Sequence, residues 1–175
     1  DNACTEGALT LWDLETGTEL RRLQGHTGWV KGVAFAPDGL TALSASDDKT
    51  LILWDVATGA VVRRFEGHTE AVHGVAFSPH GEQALSGSSD RSMILWDVAT
   101  GTIIRRFSGH TGAVNAVAFS PDGLQALSGL SDGTLILWNL ESGGIVRRFE
   151  NHADAVNSVG FSPDGSVIAT GSYDR

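Results

Sequence analysis

A unit of 42 residues runs through this 175-residue chain four times, and its landmarks return without an insertion or deletion. Gly25-His26 recurs as Gly67-His68 and Gly109-His110 and becomes Asn151-His152 at the fourth pass. Trp12-Asp13, Trp54-Asp55 and Trp96-Asp97 keep one register, with Trp138-Asn139 the departure. Pro37-Asp38-Gly39, Pro79-His80-Gly81, Pro121-Asp122-Gly123 and Pro163-Asp164-Gly165 are also 42 apart. A fixed period of this length describes a unit that cannot bury its apolar face alone, so a core forms only where neighbouring units stack.

Each unit reads as β-structure. Val30-Lys31-Gly32-Val33-Ala34-Phe35 is a strand, and Pro37-Asp38-Gly39 is a turn because proline presets φ and glycine accepts positive φ. Thr41 to Ser46 forms a second strand, and Leu51-Ile52-Leu53-Trp54 a third that is apolar on both faces and must be covered on both. Val61-Val62-Arg63-Arg64-Phe65 alternates less cleanly and is expected at the outer edge. Val30 and Val33 are three apart whereas Val33 and Phe35 are two apart, so the inward set changes parity and a β-bulge is expected near Lys31 or Gly32.

The Gly-His and Trp-Asp landmarks at this period resemble the WD-repeat β-propeller family, in which each repeat supplies one four-stranded blade. The resemblance covers residues 1–175 as one domain and implies an all-β propeller of four-stranded antiparallel blades. The register divides it into a half-blade at 1–24, blades at 25–66, 67–108 and 109–150, and a half-blade at 151–175. The near identity of the repeats is similar to that of bacterial members of the family. In the family the matching His, Ser or Thr, Asp and Trp form a hydrogen-bonded network. Carried over, the networks are His26-Ser44-Asp48-Trp54, His68-Ser86-Asp90-Trp96 and His110-Ser128-Asp132-Trp138.

Ser, His and Asp are also the composition of a hydrolase triad. An active site needs one nucleophile beside one base and an oxyanion hole, whereas this set is stamped into every unit, which fits a structural element. The histidines belong to different blades and cannot converge on one metal ion, and no paired-cysteine spacing accompanies them. The glycines lack the lysine-bearing signature of a phosphate loop. No cofactor is expected. Cys4 is alone, which excludes an internal disulfide and fits a reducing, cytoplasmic setting. A formal charge of −9 argues against nonspecific nucleic-acid binding, and no apolar run is long enough for a membrane span. Eight of the twelve basic residues form the pairs Arg21-Arg22, Arg63-Arg64, Arg105-Arg106 and Arg147-Arg148, expected on the outer strands as charges that protect sheet edges.

The two half-blades are complementary. His152, Thr170 and Asp174 need a tryptophan, and Trp12 is the repeat tryptophan without its partners. Asp1 to Gly7 duplicates the register of Ala169 to Arg175, and the amino-terminal copy, with Glu6 where Asp174 stands, is expected to be displaced. Two copies joined head to tail would close an eight-bladed ring. An excerpt from a longer propeller explains the same halves.

For function the residues offer a surface. The repeats differ after each Gly-His pair, at Trp29 and Lys31, His73, Asn115 and Asn157, and before each network aspartate, at Asp47, Ser89, Ser131 and Tyr173. These positions share one face, which in the family commonly receives peptides or proteins. Trp29 and Tyr173 are aromatic types enriched in binding hot spots. The expectation is a non-catalytic protein-interaction scaffold. A second reading is a sensor or regulatory portion of a longer signalling protein carrying a kinase or NTPase. An enzyme with its site at the central channel would need convergent acids or bases, and the first strands offer mostly Val, Gly, Ala and Phe.

Overall fold

A computed structural model describes residues 7–150 and 152–174 and contains only strands and turns there. The first sheet pairs β1 (Ala8–Trp12) with β2 (Glu19–Gln24). Three four-stranded antiparallel sheets follow, each with its strands in chain order. They comprise β3 (Val30–Phe35), β4 (Thr41–Ser46), β5 (Thr50–Asp55) and β6 (Val61–Glu66); then β7 (Val72–Phe77), β8 (Gln83–Ser88), β9 (Met93–Asp97) and β10 (Ile103–Phe107); then β11 (Val114–Phe119), β12 (Gln125–Leu130), β13 (Leu135–Asn139) and β14 (Ile145–Phe149). The last sheet pairs β15 (Val156–Phe161) with β16 (Ile168–Ser172). The first strands β3, β7, β11 and β15 lie side by side, so the sheets stand as propeller blades with these strands innermost. Of the stretch Asp1 to Gly7 expected to be displaced, residues 1–6 lie outside the described residues, and Gly7 lies against Gly28 and Val30.

Covering both faces of the third strands builds the core. Leu51 and Leu53 of β5 point one way and pack with Trp96 and Ala84 of the next blade, while Ile52 and Trp54 point the other way onto Leu23 of β2. Leu95 and Met93 meet Trp138 and Ala126 in the same manner one blade further on. Aromatic rings close two of these junctions edge to face: Phe65 with Trp96 at 5.6 Å between centroids, and Phe107 with Trp138 at 5.4 Å. The parity change in the first strand is a register shift between Val30 and Gly32, repeated between Val72 and Gly74, Val114 and Ala116, and Val156 and Ser158. The shift re-aims the side chain at Lys31, His73, Asn115 and Asn157.

Arginines tie blade to blade, a role beyond the edge protection expected of them. Arg63 donates to the carbonyls of Ala99 and Thr100 in the next blade at 2.8 and 2.9 Å, and Arg105 donates to Glu141 at 3.0 Å. Arg21 reaches Ala57 in the same way at 2.8 Å. The turn glycine beside each acceptor makes room: Gly59, Gly101 and Gly143 have φ near +75°, and a Cβ there would strike Arg21, Arg63 and Arg105. The second arginine of the pair turns inward, with Arg64, Arg106 and Arg148 donating to the carbonyls of Gly25, Gly67 and Gly109. The innermost turns stack as well, Gly81 on Pro37, Gly123 on Pro79 and Gly165 on Pro121.

Candidate functional site

The repeated polar residues form four buried or half-buried chains beneath one face of the blades. In the first, His26 Nδ1 lies 2.7 Å from Asp48, His26 Nε2 lies 2.7 Å from Ser44 Oγ, and Trp54 Nε1 donates to the same Oγ at 2.8 Å. An ionised carboxylate only accepts, so Nδ1 carries the proton and Nε2 accepts from the serine hydroxyl. The second chain, His68, Asp90, Ser86 and Trp96, repeats these distances within 0.1 Å. Ser44 and Ser86 are fully buried, each hydroxyl oxygen taken up by tryptophan and histidine, so no opening leads from solvent to the hydroxyl. In these two networks a hydrogen bond satisfies each buried polar side-chain atom, which offsets the cost of burying it and fixes the loop ahead of the first strand.

Electrostatics follow from that satisfaction. Burial pulls the Asp90 carboxyl upward, but hydrogen bonds from the Ser92 hydroxyl, the Thr69 N–H and His68 prevail and hold it at about 2. Asp48 is held below the usual carboxylate range by the same balance. Burial lowers His26 and His68 in spite of their carboxylate neighbours, which keeps both imidazoles neutral at physiological pH.

The third chain departs from the expected network. His110 Nε2 contacts Ser128 at 3.1 Å and Trp138 Nε1 donates to Ser128 at 3.0 Å, but His110 Nδ1 is buried without a partner. Asp132 is exposed and turned to Thr111 and Thr134. The reason lies two residues upstream of each aspartate. The Ser46, Ser88 and Ser172 hydroxyls accept the N–H of Asp48, Asp90 and Asp174 and hold the aspartate under its histidine, whereas the third repeat has Leu130, whose side chain has no acceptor. The fourth chain brings His152 to Asp174 and to Thr170 Oγ1, both at 2.7 Å. Trp12 lies in the other half-blade and is 58% exposed.

Above these chains the loop face carries the variable residues. Trp29 is 67% exposed, with the Lys31 ammonium 4.9 Å from its ring centroid and 3.2 Å from the Asp47 carboxylate. His73 Nε2 is 2.7 Å from Ser89 Oγ and feels Asp47 and Lys31 across the blade junction. Asn115 reaches the Val156 carbonyl and Asn157 Oδ1 at 3.3 and 3.2 Å. Ser131 Oγ accepts the Ala113 N–H within its own blade, and Asn157 also donates to the Ala155 carbonyl of its own loop. Tyr173 is 74% exposed. Among the described residues no cluster of three or more His, Cys, Asp or Glu is placed to hold a metal, and no helix could cross a membrane.

The WD domain, G-beta repeat family matches this chain at residues 17–55, 59–97, 101–139 and 143–175. Curated relatives share shorter stretches. The chain is 49% identical over 49 residues to a Nuclear distribution protein PAC1 of Arthroderma benhamiae, covering 28% of this chain and 11% of that protein. It is 52% identical over 42 residues to Lissencephaly-1 homolog 1 of Paramecium tetraurelia, covering 24% and 10%. It is 40% identical over 48 residues to Apoptotic protease-activating factor 1 of Rattus norvegicus, covering 27% and 4%. The matched stretch is thus about a tenth or less of each relative's length. Four matches at the 42-residue spacing, each opening on the last strand of one sheet and running into the next sheet, place the chain in the WD domain, G-beta repeat family.

Proposed function

We propose that this chain is a non-catalytic scaffold whose loop face receives a protein or peptide partner. The observation that carries the reading is Trp29: a large aromatic side chain stands exposed over a rigid hydrogen-bonded base, with the Lys31 ammonium against its ring. Aromatic groups held this way make effective anchors because little conformational entropy remains to be lost on binding. The acidic balance of the chain fits partners other than nucleic acid, and its lone cysteine fits a reducing, cytoplasmic setting. Self-association by exchange of half-blades belongs to the same reading, since each half-blade lacks what the other carries.

The test is selection from a peptide display library followed by calorimetric titration of a captured peptide. Trp29→Ala is expected to weaken binding by about 2 kcal/mol or more while stability stays within about 1 kcal/mol. Leu14→Ala, on the exposed β1–β2 turn, is expected to leave affinity unchanged. A peptide that ignores Trp29 and loses affinity with Leu14→Ala would move recognition off the loop face. The near-identical repeats point to a second reading, in which these blades act as the sensor portion of a longer signalling protein. Sequencing the parent reading frame decides it, a neighbouring kinase or NTPase domain being the expected sign.

A further inference from the structure

We propose that the loop face selects acidic peptides, with Trp29 packing on a large apolar side chain of the partner while Lys31, Lys49 and Arg91 receive the carboxylates that flank it. The inference rests on the loop-face reading above and adds to it the chemical class of the partner. Its ground is the way a chain of net charge −9 places its few uncommitted cations.

Eight of the twelve basic residues are the arginine pairs of the outer strands, and six of those eight are spent on carbonyls of the chain itself. The other four are Lys31, Lys49, Arg91 and Arg175, the last outside the described residues. All three described ones stand on the loop face of the first two blades. Lys31 is the bulge residue of β3, while Lys49 and Arg91 hold one register in the β4–β5 and β8–β9 turns. Both turn cations are exposed, and neither pairs with a carboxylate among the described residues. Their φ angles of 73° and 62° lie in the left-handed region, which strains a residue that has a Cβ. The third repeat has Gly133 in that place, at φ +85°. The turn alone therefore favours glycine, and the cations are kept against that preference.

Trp29 and these cations form one surface. The Trp29 carbonyl accepts the Asp47 N–H at 2.9 Å, and Gly28 lies against Asp47 and Asp48, which seats the tryptophan beside the Lys49 turn. Gly32 lies against the His73 carbonyl and so draws the second blade up to the Lys31 bulge. A Cβ on Gly133 would meet the carbonyls of His152 and Asp154 in the next blade, and the Arg91 backbone lies against His110. By the same register Lys49 stands where the first blade meets the second, and Arg91 where the second meets the third. Ala71 takes the place of Trp29 in the second blade, so the loop between the two cations is low. Trp29, Lys49 and Arg91 thus follow one another along the face, an order that suits an extended segment carrying an apolar residue and then acids.

The charge changes sign along the face. Beyond Arg91 the same registers hold Asn115, Asn157 and Gly133, and the exposed charges are those of Asp132 and Asp154. Two carboxylates lie among the cations, Glu70 and Asp47, and Asp47 is already bound to Lys31 at 3.2 Å. An incoming carboxylate competes with Asp47 for that ammonium, so Asp47 sets a threshold that only an acidic partner has the charge to cross. A nucleic acid carries a phosphate at every residue and would be repelled at Asp132 and Asp154, whereas a peptide can confine its carboxylates to the first two blades. Complementary charge of this kind favours the encounter and rejects basic competitors.

The test selects a random peptide display library on the whole chain, on Trp29→Ala, on Asp47→Asn, and on a double variant with Lys49→Gly and Arg91→Gly. Glycine copies Gly133 in both turns, so the double variant removes charge and keeps the turn. The parent chain is expected to enrich peptides in which a large apolar residue is flanked by Asp or Glu. The double variant should lose the acidic preference and Trp29→Ala the apolar one. Titration with a synthetic copy of an enriched peptide is expected to show affinity about tenfold lower for the double variant and about threefold higher for Asp47→Asn, both differences shrinking as salt is raised. Neutral or basic peptides that still depend on Trp29, or an affinity unmoved by the double variant, would overturn the acidic assignment and leave the loop-face reading standing. Enrichment that Trp29→Ala leaves unchanged, or none at all, would overturn both. A single-stranded oligonucleotide of equal net charge that displaces the peptide as well as the peptide displaces itself would show a general anion surface and overturn the peptide assignment.

Discussion

Leu130 stands where Ser46, Ser88 and Ser172 stand in the other repeats, and that one change opens the third network. Without a hydroxyl to accept its N–H, Asp132 leaves His110, and burial then lowers the imidazole to about 4, with Arg148 adding to the effect. A histidine whose folded pKa lies below its ordinary 6.5 stabilises the fold fully above 6.5, and the contribution is lost as pH falls toward 4. At about 1.4 kcal/mol per unit, His110 removes about 3 kcal/mol across that window. Asp90 behaves differently: its stabilisation is present above the ordinary 3.8 and is lost only as pH falls toward about 2. Restoring the carboxylate contact with Leu130→Ser is therefore expected to raise the His110 pKa, read from its ring protons by NMR, and to flatten the fall of the urea midpoint between pH 6.5 and 4. The same change empties a fully buried leucine site in the core and should cost about 2–4 kcal/mol at neutral pH. An unmoved His110 titration would show that Leu130 is not the cause of the open network. The departure was visible in the sequence as a leucine in a serine register, but its meaning was not, because the capping hydroxyl lies outside the four named network positions.

At the scale of the strand, period and parity carried most of the information. Alternation broken between Val30 and Val33 placed the bulge, and the apolar run Leu51 to Trp54 required cover on both faces; the register shift and the two-sided core are the physical form of those patterns. The arginine pairs were legible as a repeated rim and illegible as tethers, because their reach to a neighbouring carbonyl depends on blade spacing that no local pattern encodes. Gly59, Gly101 and Gly143 hold the other half of that contact and read in sequence only as turn residues. Truncating Arg63 leaves the carbonyls of Ala99 and Thr100 to solvent and unpacks the side chain over Gly101, so Arg63→Ala is expected to cost about 1–2 kcal/mol in chemical denaturation. Arg63→Lys should recover little, since an ammonium cannot reproduce a planar fork that serves two acceptors. A lysine variant as stable as the parent would reduce the tether to general charge.

Over the whole molecule, stability depends on neighbours in both directions, and among the described residues β1–β2 and β15–β16 are each packed against one neighbouring sheet. The internal strand β4 is almost entirely buried, whereas β16, in the same place within its repeat, is buried at no position. A repeat array of this kind opens first where nearest-neighbour contacts are missing. If a second copy supplies them, folding and association become one equilibrium, and the unfolding midpoint must rise with protein concentration. A midpoint that stays constant over a hundredfold range of concentration would mean that the ends remain unpaired. Arg147 separates this effect from ordinary stability. As a lone side chain it is exposed and makes no hydrogen bond among the described residues, so Arg147→Ala in a dilute, dissociated chain should change stability by less than about 0.5 kcal/mol. At the junction its guanidinium would bridge to the Glu15–Gly17 turn of the second copy, as Arg105 bridges to Glu141. Arg147→Ala is accordingly expected to weaken dimerisation about tenfold, close to 1.4 kcal/mol, in sedimentation equilibrium. Equal loss in the dilute chain and in the dimer would instead make Arg147 an internal support and leave the junction without its tether.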